Sequence, residues 1–325
     1  MHVTVAICTW NRSRLLRQTL EQLLNLAVPP GMSWELLVVN NNSTDDTDRV
    51  LAEFESRLPL RRVLEPNPGL SHARNTALAA ASGDYIVFTD DDVLVDPSWL
   101  VELDGARRAF PTASAFGGVI VPWFVDEPDR DLAAVFPKSL GQGYCGLDHE
   151  RDGGALPANL FVWGANMAFR MSAVRGLQFD PSLGVSPHSL MGGEEVDFLG
   201  RLRKAGGELI WWPAMKVQHY VLPARMTLEY ALQHEQAAGR LHVVSNLRPA
   251  EAGPVAVPRW LLTRYLKVGI LRWLAYLGPL GQSPHGLFGA VPVPGASRRI
   301  WVMTWRRELA WLRGMMQGFR QRPRP

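Results

Sequence analysis

Over the first half of the chain, short apolar runs alternate with amphipathic stretches, the pattern of parallel strands joined by helical crossovers. Residues 3–8, 34–39, 60–64 and 85–89 read as buried strands. Between them, residues 13–26 set Leu15, Leu16, Leu20, Leu23 and Leu24 along one stripe of a helix, Ser43 or Thr44 stands where an N-cap would start a second helix running toward Arg57, and residues 70–81 give a third. A doubly wound α/β sheet follows, and such sheets bind ligands beyond the carboxyl ends of their strands. Those ends carry Thr9-Trp10-Asn11-Arg12, Asn40-Asn41-Asn42 and Asp90-Asp91-Asp92, so three loops converge on one crevice.

Further along, residues 115–121 and 161–170 read as strands, and residues 194–205 as a helix burying Val196, Leu199 and Leu202. Residues 208–212 and 215–220 read as short extended segments. Residues 122–157, rich in Gly, Pro and charge, read as a long functional loop or small subdomain. From residue 258 the pattern changes to basic, Trp-rich helices, and there is no internal repeat. The expected organisation is a nucleotide-binding and catalytic domain over residues 1–240, a connector over 241–257 and a helical region over 258–325.

With 325 residues and 47% hydrophobic composition the chain can bury a large core. Its two cysteines, Cys8 in an apolar run and Cys145 in a Gly-rich loop, argue against a disulfide framework and fit a reducing compartment. The first residues lack the features of a signal peptide, which places the N-terminus in the cytoplasm. The net charge of +3 conceals a division: residues 258–325 hold twelve Lys and Arg against the single acid Glu308, about +11, leaving about −8 for the remainder. Five of the twelve Trp, at 260, 273, 301, 305 and 311, lie among those cations, which favours an anionic lipid surface over nucleic acid as partner. On a helix over residues 260–280, Arg264, Lys267 and Arg272 fall within about 140°, leaving a broad apolar face. Residues 298–322 repeat the Trp and Arg mixture, and a helix pair packed into a core is the competing explanation. The three charges and Pro279, then Pro284, Pro292 and Pro294, argue against a spanning helix. The expected location is therefore peripheral, on the inner face of the membrane.

The aspartate triplet carries the most chemistry. Adjacent carboxylates repel, so at the end of a strand they call for a cation. Mg²⁺ or Mn²⁺ held by one or two of them keeps positions open for phosphate, which suggests a diphosphate leaving group. An acidic turn in solvent is the plainer alternative.

Six ordered segments resemble family 2 glycosyltransferases, mostly inverting enzymes of the GT-A fold. They are Thr9 to Arg12, Val38 to Thr47 (VVNNNSTDDT), Asn67 to Asn75 (NPGLSHARN), Gly83 to Asp92 (GDYIVFTDDD), Trp163 to Met167 (WGANM) and Gly193 to Asp197 (GEEVD). The resemblance covers roughly residues 1–240. It implies that Asp92 binds the metal and Asp90 the ribose or a metal-bound water, as part of a DxD-type signature, with Asp91 joining the donor contacts or facing solvent. Thr9, Asn11, Arg12, Asn40, Asn42 and Arg74 are implied around base and ribose. Asn40 stands where the family commonly has an acid, and an Asx turn is its local alternative. An ordinary helix-surface cation is the alternative for Arg74. Glu195, with Glu194 as fallback, takes the place of the catalytic base, although the family usually has Asp there and two Glu also suit a helix N-terminus. His219 is implied as a further metal ligand, better suited to Mn²⁺ than Mg²⁺, against a structural role. Trp163 and Asn166 are implied near the acceptor and donor sugar, with core packing as the alternative. The function implied is inverting transfer from a nucleoside-diphosphate sugar to a glycan or lipid-linked hydroxyl, in polysaccharide or glycoconjugate synthesis. The alternatives are a nucleotide-sugar-binding assembly subunit without turnover and a sugar nucleotidyltransferase, which usually has a Gly-rich basic loop after strand one.

Overall fold

A computed structural model describes residues 1–127, 129–135, 145–184, 192–243, 256–277 and 298–320. The proline-interrupted stretch after Leu277 and most of the expected connector lie outside these residues. The four apolar runs become β1 (His2–Thr9), β2 (Ser33–Asn40), β3 (Leu60–Leu64) and β4 (Tyr85–Asp90), joined by α1 (Ser13–Leu23), α2 (Thr47–Phe54) and α3 (Leu70–Ala80). The strands order 3-2-1-4, all parallel, with Cys8 beside Asp90 and Thr9 beside Asn40 at their carboxyl ends. The register thus brings the three polar loops together, because each strand ends where its apolar run ends.

β5 (Val93–Val95) and α4 (Trp99–Ala109) follow the aspartates. The expected strand over 115–121 divides at Gly117-Gly118 into β6 (Ala115–Gly117), in the main sheet, and β7 (Ile120–Trp123), in a second sheet. β8 (Gly154–Ala155) closes the far edge of the main sheet. Of residues 161–170, only β9 (Met167–Arg170) is strand, antiparallel to β4 and β6; a 3₁₀ turn over Gly164–Asn166 precedes it. α6 (Glu194–Lys204) packs Phe198, Leu199 and Leu202 into the core, and Val196 is only partly buried, because Phe198 stacks on Phe179 and meets Phe169 instead. β10 (Leu209–Trp211) joins the main sheet, and β11 (Val217–Tyr220) lies between β5 and β7. The large sheet is mostly parallel, with β9 and β8 reversed. Ser43 and Thr44 do not cap α2, which starts later at Thr47, because both are drawn into bonds with Asn11.

Contacts divide the chain into two units. The first comprises the described parts of Met1–Trp123, Cys145–Ser189 and Gly193–Tyr220, and the second those of Phe124–Tyr144, Leu190–Gly192 and Val221–Pro325. The second is helical: α5 (Arg130–Val135), α7 (Leu228–His242), α8 (Arg259–Leu277) and α9 (Arg298–Arg320). Residues 221–240 therefore group with the C-terminal helices. α9 does not present its apolar residues outward: Met303, Trp305, Leu312, Met315 and Phe319 are buried within the unit. Its arginines find acids there, Arg307 to Glu235 at 2.9 Å and Arg299 to Asp129 at 2.8 Å. Among the described residues no helix is long and apolar enough to cross a membrane.

Candidate functional site

The crevice of the first unit is built from the ends of β1, β2 and β4. Thr9, the last residue of β1, is buried and donates from Oγ1 to Asp91 Oδ2 at 2.7 Å. Arg12 reaches back to both Asp91 Oδ1 (3.0 Å) and Asp92 Oδ2 (2.8 Å). Asp91 does not face solvent: only 3% exposed, it is packed under the loop, where burial raises its pKa against the lowering by Arg12. Asp90 and Asp92 flank it. β11 runs antiparallel to β5 with His219 opposite Val93, and the Tyr220 N–H donates to the Asp92 carbonyl at 2.9 Å. That register sets His219 Nε2 3.0 Å from Asp92 Oδ1. Burial lowers the imidazole pKa, but Asp92 more than offsets it and leaves it at about 9. Ligand atoms of Asp90, Asp92 and His219 all lie within 4.8 Å of one another. Two carboxylates and an imidazole are a donor set that Mn²⁺ accepts, and a divalent ion would relieve the crowding of acid there. The residues fit such an ion.

Arg74 is not a surface cation. It is buried on α3, its guanidinium 5.5 Å from the Phe179 ring centre, and it bridges Glu194 Oε1 (Nη1, 2.7 Å) and Glu195 Oε1 (Nη2, 3.0 Å). Asp90 lies 3.9 Å from the same Nη2, so one guanidinium spans the candidate metal cluster and the candidate base. Both Glu come from the first turn of α6, entered through Gly193 at φ +106°, a conformation that suits glycine. The Gly164 N–H donates to Glu195 Oε1 at 3.0 Å, and a Cβ at Gly164 would collide with Arg74 and that carboxylate. The Glu194 side chain is 3% exposed and that of Glu195 21%, so only Glu195 opens toward the crevice. Burial, then the neighbouring Glu194, push the Glu195 pKa up to about 7 against Arg74.

Other expected contacts are internal. Asn166 is fully buried: its amide accepts from Trp99 Nε1 (2.9 Å) and donates to the Val119 and Met215 carbonyls, so it ties the start of α4 to the turns before β7 and β11 and cannot face a sugar. Asn40 follows the Asx-turn alternative, its amide donating to Asp48 (3.0 Å) and accepting from the Ser43 N–H (2.8 Å). Asn11, at φ +52°, accepts from the Thr44 N–H at 2.7 Å and latches the first loop to the second. Asn41 does the same for the loop before α3, accepting from the Gly69 N–H at 2.8 Å. Asn42 is exposed and Trp163 half-buried.

Residues 4–128 match the family described as Glycosyl transferase family 2. This segment is a family 2 glycosyltransferase domain, and the chain is a glycosyltransferase. The glycosyltransferase is 25% identical over 244 residues to the succinoglycan biosynthesis protein ExoM of Rhizobium meliloti, covering 74% of each chain. It is 26% identical over 174 residues to the glucosyl-dolichyl phosphate glucuronosyltransferase of Haloferax volcanii, covering 52% of this chain and 53% of that protein. Its fold is like that of a mannosyltransferase from Pyrobaculum calidifontis solved with GDP-Man and Mn²⁺ (22% identity, TM-score 0.57, 95% of this chain and 85% of that one). It is also like that of S. aureus TarS 1-349 solved with UDP-GlcNAc (14% identity, TM-score 0.53, 86% and 82%). The sheet with its flanking helices is accordingly a GT-A fold carrying a helical C-terminal extension.

Sequence reasoning did not single out two residues of the glycosyltransferase's site. Gly164 entered only as part of a motif, yet its N–H and missing side chain seat the candidate base. Trp10, 45% exposed beside Thr9 and Arg12, offers an aromatic face at the mouth of the crevice; an exposed Trp after an apolar strand was the available signal.

Proposed function

We propose that this glycosyltransferase inverts the anomeric centre of a nucleoside-diphosphate sugar in transferring it to a hydroxyl of a glycan or lipid-linked acceptor, with Mn²⁺ or Mg²⁺ bound. The observation that carries the reading is the single buried guanidinium of Arg74, which lies between Asp90 of the metal cluster and Glu195. Donor diphosphate and acceptor hydroxyl then meet within one crevice of the first unit. Asp90, Asp92 and His219 would hold the ion, and the imidazole ligand favours Mn²⁺ over Mg²⁺. When bound, the ion neutralises charge on the departing diphosphate. Thr9 and Arg12 order the aspartate loop against the nucleotide, with Trp10 and Asn42 at its open edge. Glu195 takes the acceptor proton as the hydroxyl oxygen attacks the anomeric carbon, while the sugar–phosphate bond breaks and its electron pair leaves with the diphosphate. A base with a pKa near 7 suits this task at neutral pH, and Glu194, closed off by Arg74, is assigned to anchoring. Trp163 remains the candidate wall for the acceptor.

The functions of the relatives, succinoglycan biosynthesis and glucuronosyl transfer involving a glucosyl-dolichyl phosphate, support a polymer or lipid-linked acceptor. Such acceptors fit attachment of the basic residues 258–325 to the inner face of an anionic membrane. A thermal-shift and hydrolysis screen of UDP-, GDP- and dTDP-sugars, with and without Mn²⁺, tests the proposal on wild type, Asp92→Ala and Glu195→Gln. One donor should stabilise the wild type only with metal, Asp92→Ala should lose that shift, and Glu195→Gln should keep it with turnover lowered by about 10²–10⁴. Binding of a donor with no hydrolysis or transfer by the wild type would instead support a non-catalytic assembly subunit.

A further inference from the structure

In a helix packed against its own protein, apolar residues face inward and charges outward. α8 keeps apolar residues on its outer side as well. Leu261 and Val268 mark its buried side, and Arg264 beside them donates to Glu308 of α9 at 2.9 Å. On the opposite side Leu262, Leu266 and Ile270 are 39%, 65% and 59% exposed. At 100° per residue these three fall within about 80° of one another, centred nearly opposite Leu261 and Val268. Trp260, 53% exposed, and the exposed Lys267 border the strip on one flank, and the exposed Arg259 stands at its N-terminal end. Over residues 228–242, 259–270, 299–300 and 302–320 the exposed large apolar side chains are these four, all on α8. The apolar residues of α9 are spent on the interior of the unit, and arginines 299 and 307 are matched by acids. Charge decides the occupant. No acid lies among the described residues of α8, and residues 258–325 carry about +11, so the strip and its flanking cations match an anionic lipid surface.

Resting on the reading of residues 258–325 as membrane-attached, we propose that α8 lies in the plane of an anionic bilayer, with Leu262, Leu266 and Ile270 in the acyl boundary and Arg259 and Lys267 at the headgroups. The helix would thereby be the part of the extension that inserts, while α9 serves as its support.

The test is co-sedimentation of the full chain with vesicles of equimolar phosphatidylglycerol and phosphatidylcholine, and with pure phosphatidylcholine. Wild type should bind the anionic vesicles. The variant Leu262→Ser/Leu266→Ser/Ile270→Ser should lose at least about a hundredfold in partitioning, since three exposed aliphatic side chains no longer enter lipid. Arg259→Gln/Lys267→Gln should lose about tenfold on anionic vesicles, an effect that fades in high salt. Both should retain the wild-type urea midpoint and hydrolyse a water-soluble donor as the wild type does, because the substituted side chains are exposed. Wild type that binds with the triple-serine variant binding equally well would overturn the α8 assignment and leave membrane attachment standing. No vesicle binding by the wild type would overturn both. Self-association abolished by the triple-serine variant, without vesicle binding, would assign the strip to a second copy of the chain and overturn the lipid proposal.

Discussion

Removing the charge of Arg74 tests the electrostatic design of the site most directly. In Arg74→Met the side chain keeps much of its apolar packing against Phe179 but withdraws both donors from Glu194 and Glu195. Two adjacent carboxylates, one with a side chain 3% exposed, are then left facing one another without a cation within bonding distance. Breaking a buried ion pair from one side costs about 3–5 kcal/mol, a large share of the ~5–15 kcal/mol that holds a domain folded. The cost falls on the ionised form. Glu195, already raised above its unfolded pKa by burial and by Glu194, loses the lowering by Arg74 in the variant, so the folded state takes up a proton more readily than the unfolded. The destabilisation is then full above that raised value and shrinks as pH falls through it. Urea unfolding at about pH 8 and about pH 5.5 reads this out, with the smaller loss expected at the lower pH. Arg74→Met/Glu194→Gln/Glu195→Gln, which removes the stranded charges, should recover most of the stability. A loss below about 1 kcal/mol at the higher pH, the value of an exposed pair, would refute the bridging role. A loss independent of pH that the triple variant does not relieve would mean that Arg74 acts through packing alone.

Other outcomes follow from the same geometry. Glu195→Gln should lower kcat by about 10²–10⁴ while leaving donor affinity, measured by calorimetry, near wild type. Because the base must be ionised and its pKa is raised to about 7, kcat/KM should rise with pH through that region and level off above it; a profile already flat at pH 5–6 would count against Glu195. Gly164→Ala forces a methyl into Arg74 and Glu195, so it should cost about 1–3 kcal/mol in urea unfolding and depress kcat without abolishing metal-dependent donor binding.

Much of the site was legible in the chain because its parts are local. The apolar runs ending at Cys8, Val39 and Thr89 identify parallel strands, and the polar residues just after them identify the crevice, since a doubly wound sheet leaves its ligand nowhere else. The aspartate triplet and the acidic start of α6 are visible for the same reason: crowded charge must be answered by something. The answer itself was not visible. Arg74 and its glutamates are about 120 residues apart, and no periodicity says that a cation on an amphipathic helix will turn inward to meet them. Nor does composition separate Asn40 and Asn166 from ligand-binding amides, because an amide that reads a base and one that closes a turn differ only in which partner is in reach.

What the sequence determined by itself was the set of strands, the crevice and its acidity, all consequences of where apolar runs stop. Tertiary structure decided the partners: β11 pairing with β5 in the register that puts His219 on Asp92, the glycine that seats Glu195, and the rotation of α8 that turns Arg264 toward Glu308 and leaves leucines outside. Those depend on contacts between segments far apart in the chain, where one residue of register or a quarter turn of helix moves a side chain from one face to the other.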